Sequence, residues 1–290
     1  MPPVTRSTRR NLPTFLQESS ARPSTTSPPL RLSEPTRTGY PGLFDWITIT
    51  PALIWDHAKQ TDAIDEFFDQ LRGYTSVNLR LRRSRPLEAP NTEYLMIEWS
   101  HASTRAKFIA SDAYTSLMDL LGRLTQGRSV HLSLVDFSAT NTYAFHPDHR
   151  GPVDHSELLM AYFPGHLSES QRNEISHRDG PFSLRGWFPG QPYEEIEPLP
   201  LHQLVDWTCG WLVDTTGAGA GAGAVDFRGH RGARCLVYFL RWNGWAGEKS
   251  YKAIHETHPV DWWGEFLARL EGLGMLGWES QHVRFDRRSH

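Results

Sequence analysis

Two stretches in the first half of the chain are repeated in the second half. The apolar run EYLMIEWS, which includes Trp99, matches CLVYFLRWN around Trp242. Further along, SVHLSLVDF matches GWESQHVRF, and these two runs end at Phe137 and Phe285. A duplication of about 130 residues explains both matches. Each half must therefore be able to form the same set of helices and strands and to pack against its copy.

Each half carries the same order of strand and helix signals. In the first half, apolar or alternating runs predict strands at 44–50, 75–82, 93–100 and 129–137. The second half predicts strands at 157–163, 205–213, 234–242 and 277–285. Helix-capping residues at Thr50-Pro51, Ser111 and Ser168 predict helices between strands. The order β-α-β-β-α-β is that of ferredoxin-like domains, so we expect the α+β class.

Shifts in composition indicate the domain boundaries. Residues 1–42 hold six arginines and two acidic residues, a net charge of +4, and are rich in Pro, Ser and Thr. Because so few apolar side chains cannot offset the loss of chain entropy, we expect a disordered tail there. A first ferredoxin-like repeat at 43–138, a linker at 139–155 and a second repeat at 156–287 would follow.

The arginine-rich start also bears on localisation. A mitochondrial presequence begins in this way, but Pro2, Pro3 and Pro13 oppose the helix that a presequence forms. The apolar segment of a secretory signal is missing from these residues. We therefore expect a cytoplasmic protein, with a mitochondrial one as the alternative.

The overall composition argues against several classes of protein. Thirty basic against thirty-three acidic residues give a net charge of −3, which disfavours a nucleic-acid-binding protein. No run approaches the roughly 20 apolar residues of a membrane helix. Two cysteines, Cys209 and Cys235, are too few for a disulfide scaffold or a cysteine zinc site. We expect a soluble protein without nucleic-acid or membrane partners.

The segment WSHASTRAKFIASDAY, from Trp99 to Tyr114, resembles the dimeric α+β-barrel superfamily, which includes the antibiotic-biosynthesis-monooxygenase-like domains. The second copy, WNGWAGEKSYKAIHETHP, is similar in layout. The resemblance covers about 43–138 and 156–287. It implies two ferredoxin-like sheets that face each other around a pocket. Since both sheets would come from one chain, we expect a monomer with an internal pseudo-dimer.

Polar side chains on the pocket face of the strands are the candidate site residues. Strand 129–137 alternates between apolar residues on one face, including Leu132 and Leu134, and His131 and Ser133 on the other. The matching positions of the last strand are Glu279 and Gln281. In the third strand of each half, Glu98 matches Arg241, Tyr94 shares the face of Glu98, and Phe239 shares the face of Arg241.

These residues suggest acid–base chemistry. We assign His131 as the base and Arg241 as the stabiliser of a developing oxyanion, with Glu98 and Glu279 as further catalytic candidates. Ser133, Gln281, Tyr94 and Phe239 are the expected substrate-binding residues. The alternative is that Glu98 and Arg241 form a structural ion pair between the sheets and that His131 lies at a solvated rim.

We expect neither a metal nor an organic cofactor. His146, His149, Asp154 and His155 have metal-ligating side chains, but a solvated polar linker explains them better. His255 and His258 are too close in the sequence for a zincin motif. We expect His57 and His282 to be ordinary surface or core histidines. The chain has no Walker loop, and GAGAGAGA at 217–224 is typical of a flexible loop. The basic run Arg80 to Arg85 predicts an edge strand protected by charge.

The leading hypothesis is an enzyme of secondary metabolism with a hydrophobic aromatic or polyketide-like substrate. The resemblance implies cofactor-independent oxygenation, cyclisation, or dehydration and decarboxylation. The first alternative is a non-catalytic ligand-binding or stress-response protein of the same fold, because the two halves differ at most pocket positions. The second, an RNA-binding module, lacks the aromatic pattern on its strands.

Overall fold

The computed structural model describes residues 42–50, 57–74, 80–99, 101–126, 130–137, 155–176, 203–213, 224–253 and 261–285. The expected tail up to residue 41 lies outside these residues. So do most of the expected linker, including His146 and His149, and the segment with His255 and His258.

The first half of the chain contains four strands and three helices among the described residues. In chain order these are β1 (Leu43–Ile49), α1 (His57–Tyr74), β2 (Arg80–Pro86), β3 (Glu93–Trp99), α2 (Ala102–Ile109), α3 (Asp112–Thr125) and β4 (His131–Asp136). Helix α3 begins as its sequence predicts, because the Ser111 hydroxyl accepts a hydrogen bond of 3.3 Å from the Tyr114 amide.

The second half contains five strands and three helices among the described residues. They are β5 (Ser156–Phe163), α4 (Glu169–Ser176), β6 (Leu204–Val213), β7 (Ala224–Phe227), β8 (His230–Trp242), α5 (Gly244–Lys252), α6 (Trp262–Gly272) and β9 (Gly277–Phe285). The Asp261 carboxylate caps α6 by accepting a 2.8 Å hydrogen bond from the Gly264 amide. None of the helices in the described residues has the length and apolar character to cross a bilayer.

Eight of these strands form a closed antiparallel barrel. The strand order is β5-β9-β2-β3-β1-β4-β6-β8, and the pairing of β8 with β5 closes the circle. The two halves meet edge to edge at two seams, where Ser84 faces Phe285 and Val135 faces Leu212. The expectation of an α+β barrel formed by a single chain is thus confirmed, with β7 as an added ninth strand on β8.

Gly210 permits the close approach of the strands at the second seam. A side-chain carbon at this position would lie 2.5 Å from the carbonyl oxygen of Asp136 and 2.8 Å from the Phe137 ring. Because real carbon atoms do not approach so closely, only glycine fits at this point of β6.

One expectation about the strands is wrong. Strand β2 is not an edge strand, because it lies between β3 and β9 and its two neighbours occupy its hydrogen-bonding groups. The outward-facing Arg83 and Arg85 bind the buried carboxylate of Glu93. The expected flexible loop at 217–224 lies outside the described residues except for Ala224, where β7 begins.

Alternation along the strands separates three apolar clusters. One lies between the helices and the strands of the first half and includes Phe67, Trp99 and Leu134. The second, around Trp242 and Tyr238, lies under the helices of the second half. The third fills the barrel interior with residues of both halves, and its fully buried members are Phe44, Met96, Phe137 and Phe239.

Candidate active site

The inward faces of the strands carry most of the candidate residues at one end of the barrel. On β4, Leu134 packs under the helices, whereas Val135 and Phe137 belong to the interior cluster. Since side chains alternate, Ser133 and His131 lie on the interior face. The His131 side chain is exposed, and its Nε2 atom lies 3.1 Å from the Ser133 hydroxyl.

Tyr94 connects the two halves at this end. Thr48 on β1 is the pairing partner of both Tyr94 and His131, so these two side chains belong to one row, two strands apart. The Tyr94 hydroxyl donates a hydrogen bond to the Gln281 side-chain oxygen on β9. The Trp46 ring contacts the Tyr94 ring edge-on at 5.2 Å between centroids. The hydrogen bond between Tyr94 and Gln281 therefore connects β3 of the first half to β9 of the second half.

A second tyrosine lies on the interior face of the second half. The Tyr162 hydroxyl donates a 3.3 Å hydrogen bond to Glu279, and its ring stacks on Phe227 at 3.8 Å. Burial raises the pKa of both Tyr94 and Tyr162 well above the usual value, and the nearby carboxylates add to the effect. Both phenols therefore remain protonated, and they can serve as hydrogen-bond donors in an apolar setting.

We call this end of the barrel the mouth and define it by Tyr94, His131, Ser133, Tyr162, Glu279 and Gln281. Several interior-facing side chains here are only half-buried: Thr48, Ser133, Met160, Glu279 and Gln281. Deeper in the barrel, Phe44, Met96, Phe137 and Phe239 are fully buried. Among the described residues, interior-facing side chains are therefore more exposed at the mouth than deeper in the barrel, and the mouth combines polar groups with the aromatic rings of Phe44, Phe137 and Phe239 below them, which we call the aromatic floor.

The remaining three candidate residues lie away from the mouth. Glu98 is four residues from Tyr94 on β3, which corresponds to about 13 Å along a strand. It is 5% exposed. Arg241 is 3% exposed and directly opposite Asp206 on the neighbouring strand β6, where opposite charges stabilise each other. Phe239 is fully buried and contacts Phe285 edge-on.

Sequence reasoning missed Asp206. The signal was present, because the apolar residues Trp207, Cys209 and Trp211 alternate with Asp206, Thr208 and Gly210 and so place Asp206 on the interior face.

A second polar group, also missed, lies outside the barrel wall and under α5. The carboxylate of Glu248 on α5 lies 2.6 Å from His155 Nε2 and 3.0 Å from His282 Nε2. Lys252 donates hydrogen bonds to Glu248 at 2.6 Å and to Glu157 at 2.8 Å. We call this group the α5 cluster and define it by Glu88, His155, Glu157, Glu248, Lys252 and His282.

Opposite charges set the protonation of the α5 cluster. Burial opposes the charged form of Glu248, but hydrogen bonds from His282 and Lys252 outweigh it and lower the pKa of Glu248 to about 2. Burial likewise opposes the charged form of His282, yet Glu248 and Glu88 raise the pKa of His282 to about 9. In the metal-free protein, Glu248 is therefore ionised and His282 protonated.

No protein-family model matches the chain, and no curated protein matches it in sequence. Among solved structures, the chain is similar to an anthrone oxidase-like protein, with a TM-score of 0.51 and 14% identity over 88% of this chain and 94% of that chain. It is also similar to a provisionally assigned monooxygenase of Fusobacterium nucleatum, with a TM-score of 0.46 and 7% identity over 84% and 91% of the two chains. The first similarity supports the dimeric α+β-barrel fold that the sequence resemblance implied.

Proposed function

We propose that the protein is an oxygenase-type enzyme that oxidises a hydrophobic, planar aromatic or polyketide-like substrate at the barrel mouth. The observation that carries this proposal is the pair of protonated phenols, Tyr94 and Tyr162, which meet Gln281 and Glu279 above an aromatic floor. A planar substrate suits such a floor, because flat apolar rings pack well against aromatic side chains.

The proposed chemistry needs a base, hydrogen-bond donors and molecular oxygen. His131, whose side chain is suited to proton transfer near neutral pH, removes a proton from an activated methylene group of the substrate. Each phenol has one O–H donor, so on substrate binding Tyr94 and Tyr162 would exchange their bonds to Gln281 and Glu279 for hydrogen bonds to the oxygen on which negative charge develops. The resulting carbanion reduces O₂ and binds it, and the proton held by His131 completes a hydroperoxide on the same carbon. This hydroperoxide then loses water. The net change converts CH₂ and O₂ into C=O and H₂O.

The other candidate residues receive supporting roles in this proposal. Ser133 and Gln281 orient the substrate, and Glu279 holds Tyr162 or acts as a second proton acceptor. Phe239 forms part of the floor. Glu98 and Arg241 lie deeper, so we infer that they stabilise the interior and do not touch the substrate. We further infer that the two halves are ferredoxin-like repeats that arose by duplication.

Oxygen uptake with anthrone as the probe tests the proposal, because the anthrone oxidase-like protein shares the fold. The wild type should accelerate oxygen consumption and quinone formation above the spontaneous rate. His131→Gln should lower the enzymatic rate by about 10²–10⁴-fold. His230→Gln, at an exposed position on β8, is the matched control and should leave the rate unchanged.

Two outcomes would contradict the proposal. If the wild type does not accelerate the reaction of anthrone or of related hydroxylated anthrones, the oxygenase assignment is wrong. If it binds these molecules without turnover, the alternative of a non-catalytic ligand-binding protein is correct. That alternative is favoured by the difference between the halves, since His131 and Ser133 correspond to Glu279 and Gln281.

A further inference from the structure

The α5 cluster brings three metal-ligating side chains together from distant parts of the chain. His155 immediately precedes β5, Glu248 lies on α5, and His282 lies on the outward face of β9. One ligand atom of each residue lies within 4.8 Å of the ligand atoms of the other two. In a tetrahedral zinc site with bonds of about 2.0–2.1 Å, ligand atoms are separated by roughly 3.3 Å. Small side-chain movements would therefore admit an ion.

We propose that His155, Glu248 and His282 bind a divalent transition-metal ion, with at least one coordination position left for water. Two imidazoles and one carboxylate are a ligand set that binds catalytic Zn²⁺ and non-haem Fe²⁺. The set contains too few oxygen ligands to favour Mg²⁺ or Ca²⁺. This site lies on the outer side of the barrel wall, and it does not depend on the proposed function of the mouth.

Glu88 provides the support that a metal-binding histidine requires. Its carboxylate binds His282 Nδ1 and also accepts a 2.9 Å hydrogen bond from the His282 amide. When Nδ1 donates a proton to a carboxylate, Nε2 is directed at the metal position and becomes a better ligand. Glu88 comes from the β2–β3 connection in the first half, so both halves contribute to the site.

The charge of the cluster suits a dication. Glu88, Glu157 and Glu248 supply three negative charges, and Lys252 supplies one positive charge. A metal ion displaces the proton that His282 carries in the metal-free protein, so both imidazoles are neutral in the metal-bound group. Its net charge is then −2, which one divalent cation neutralises. Lys252 is held by both carboxylate oxygens of Glu157 at 2.8 Å, so it can remain in place beside Glu248 when a metal binds.

Comparison of the two halves argues against a purely structural role for the histidines. His155 lies opposite Trp242 at the end of β8, just as Leu43 lies opposite Trp99 at the end of β3. By the same register, His282 corresponds to Leu134. Leu43 and Leu134 belong to the apolar core of their half. The fold is therefore satisfied by leucine at these positions, and polar groups buried there have a cost that ligand binding explains.

The side chain of Trp245 lies between the two histidines and solvent. The Trp245 ring lies 4.1 Å from the His155 ring and 4.6 Å from the His282 ring, between centroids. Trp245 is itself 56% exposed, although large aromatic side chains are usually buried. Rotation of this one side chain would open a path from solvent to the three ligands.

This proposal replaces the expectation from the sequence that the protein has no metal site.

Metal titration of the full chain tests the proposal. After treatment with a chelator and dialysis, the wild type should bind one Zn²⁺ per chain in calorimetry, and Mg²⁺ should not compete. Co²⁺ should give the visible absorption of a four- or five-coordinate ion. His282→Ala and Glu248→Gln should lose this binding, and Glu88→Gln should weaken it by about 10–100-fold. His166→Ala, at an exposed position, is the control and should bind as the wild type does.

Two results would overturn the proposal. The first is a wild type that binds neither Zn²⁺ nor Co²⁺ at one per chain. The second is unchanged binding in the variant with both His155→Ala and His282→Ala. If the alanine variants fail to fold, X-ray absorption of the wild type loaded with Zn²⁺ decides the matter. Two imidazole ligands and one carboxylate support the site, and any other ligand set refutes it.

Discussion

Removal of Arg83 should destabilise the barrel through the carboxylate that it holds. Glu93, at the start of β3, is 2% exposed and accepts two hydrogen bonds from Arg83, at 2.9 and 3.0 Å. Arg85 binds the same carboxylate from a less buried position. Burial alone would raise the pKa of Glu93, but the two guanidinium groups outweigh it and lower this pKa. Arg83→Met removes the more buried of these groups.

The loss can be estimated from the burial of the pair. Breaking a buried ion pair by removing one member costs about 3–5 kcal/mol, because the other charge remains unpaired. Arg85 still holds Glu93 in the variant, so we expect about 2–3 kcal/mol at pH 7. The matched control is Arg72→Met, since Arg72 pairs with Asp69 at the surface with 43% and 74% of the side chains exposed. It should cost under about 1 kcal/mol.

The pH dependence gives the prediction a second test. The lowered pKa of Glu93 stabilises the wild type above the unfolded value near 4.5, and this contribution is lost as the pH falls through the folded pKa. In Arg83→Met, only Arg85 still opposes the effect of burial on Glu93, so the pKa of Glu93 in the folded variant is higher than in the wild type. The variant therefore loses less stability than the wild type when the pH falls. Urea unfolding followed by circular dichroism should therefore show a larger difference at pH 7 than at pH 4. A cost below 1 kcal/mol at pH 7, or equal costs at both pH values, would refute the reasoning.

Three further predictions concern the mouth, the seam and a helix cap. Tyr94→Phe should lower turnover about 10-fold, because the variant loses a hydrogen-bond donor to the developing oxyanion, which is worth about 1.5 kcal/mol; unchanged turnover would exclude Tyr94 from the site. Gly210→Ala should destabilise by about 1–3 kcal/mol in urea unfolding, since its methyl group would overlap the Asp136 carbonyl. Ser111→Ala should cost about 1 kcal/mol through the loss of the α3 cap, with no effect on turnover.

Local signals in the sequence predicted most of the elements, because each signal depends on neighbouring residues. The run GWESQHVRF defines β9 with both ends correct, and Ser111 caps α3 as expected. The position of β2 inside the barrel sheet could not be predicted in this way. Its arginines indicate an edge strand until Glu93 and the distant strand β9 are known to be its partners. Pairings between strands far apart in sequence leave no local signal.

The candidate site was predictable only where alternation and repetition agree. Both features placed His131, Ser133, Glu279 and Gln281 on interior faces, and the structure gathers them at one end of the barrel. The α5 cluster was not predictable, because His155, Glu248 and His282 come from three separate elements of the second half. A useful signal was nonetheless present, since the match between SVHLSLVDF and GWESQHVRF pairs His282 with Leu134 of the first half.

The central claim is that the mouth oxidises a planar substrate with O₂. The most direct measurement is the stoichiometry of oxygen uptake against quinone formed from anthrone, in the presence and absence of a chelator. We expect one O₂ consumed per quinone, loss of this activity in His131→Gln, and no effect of the chelator, because the α5 cluster lies outside the barrel wall. Oxygen uptake that persists in His131→Gln, or that the chelator abolishes, would contradict the claim.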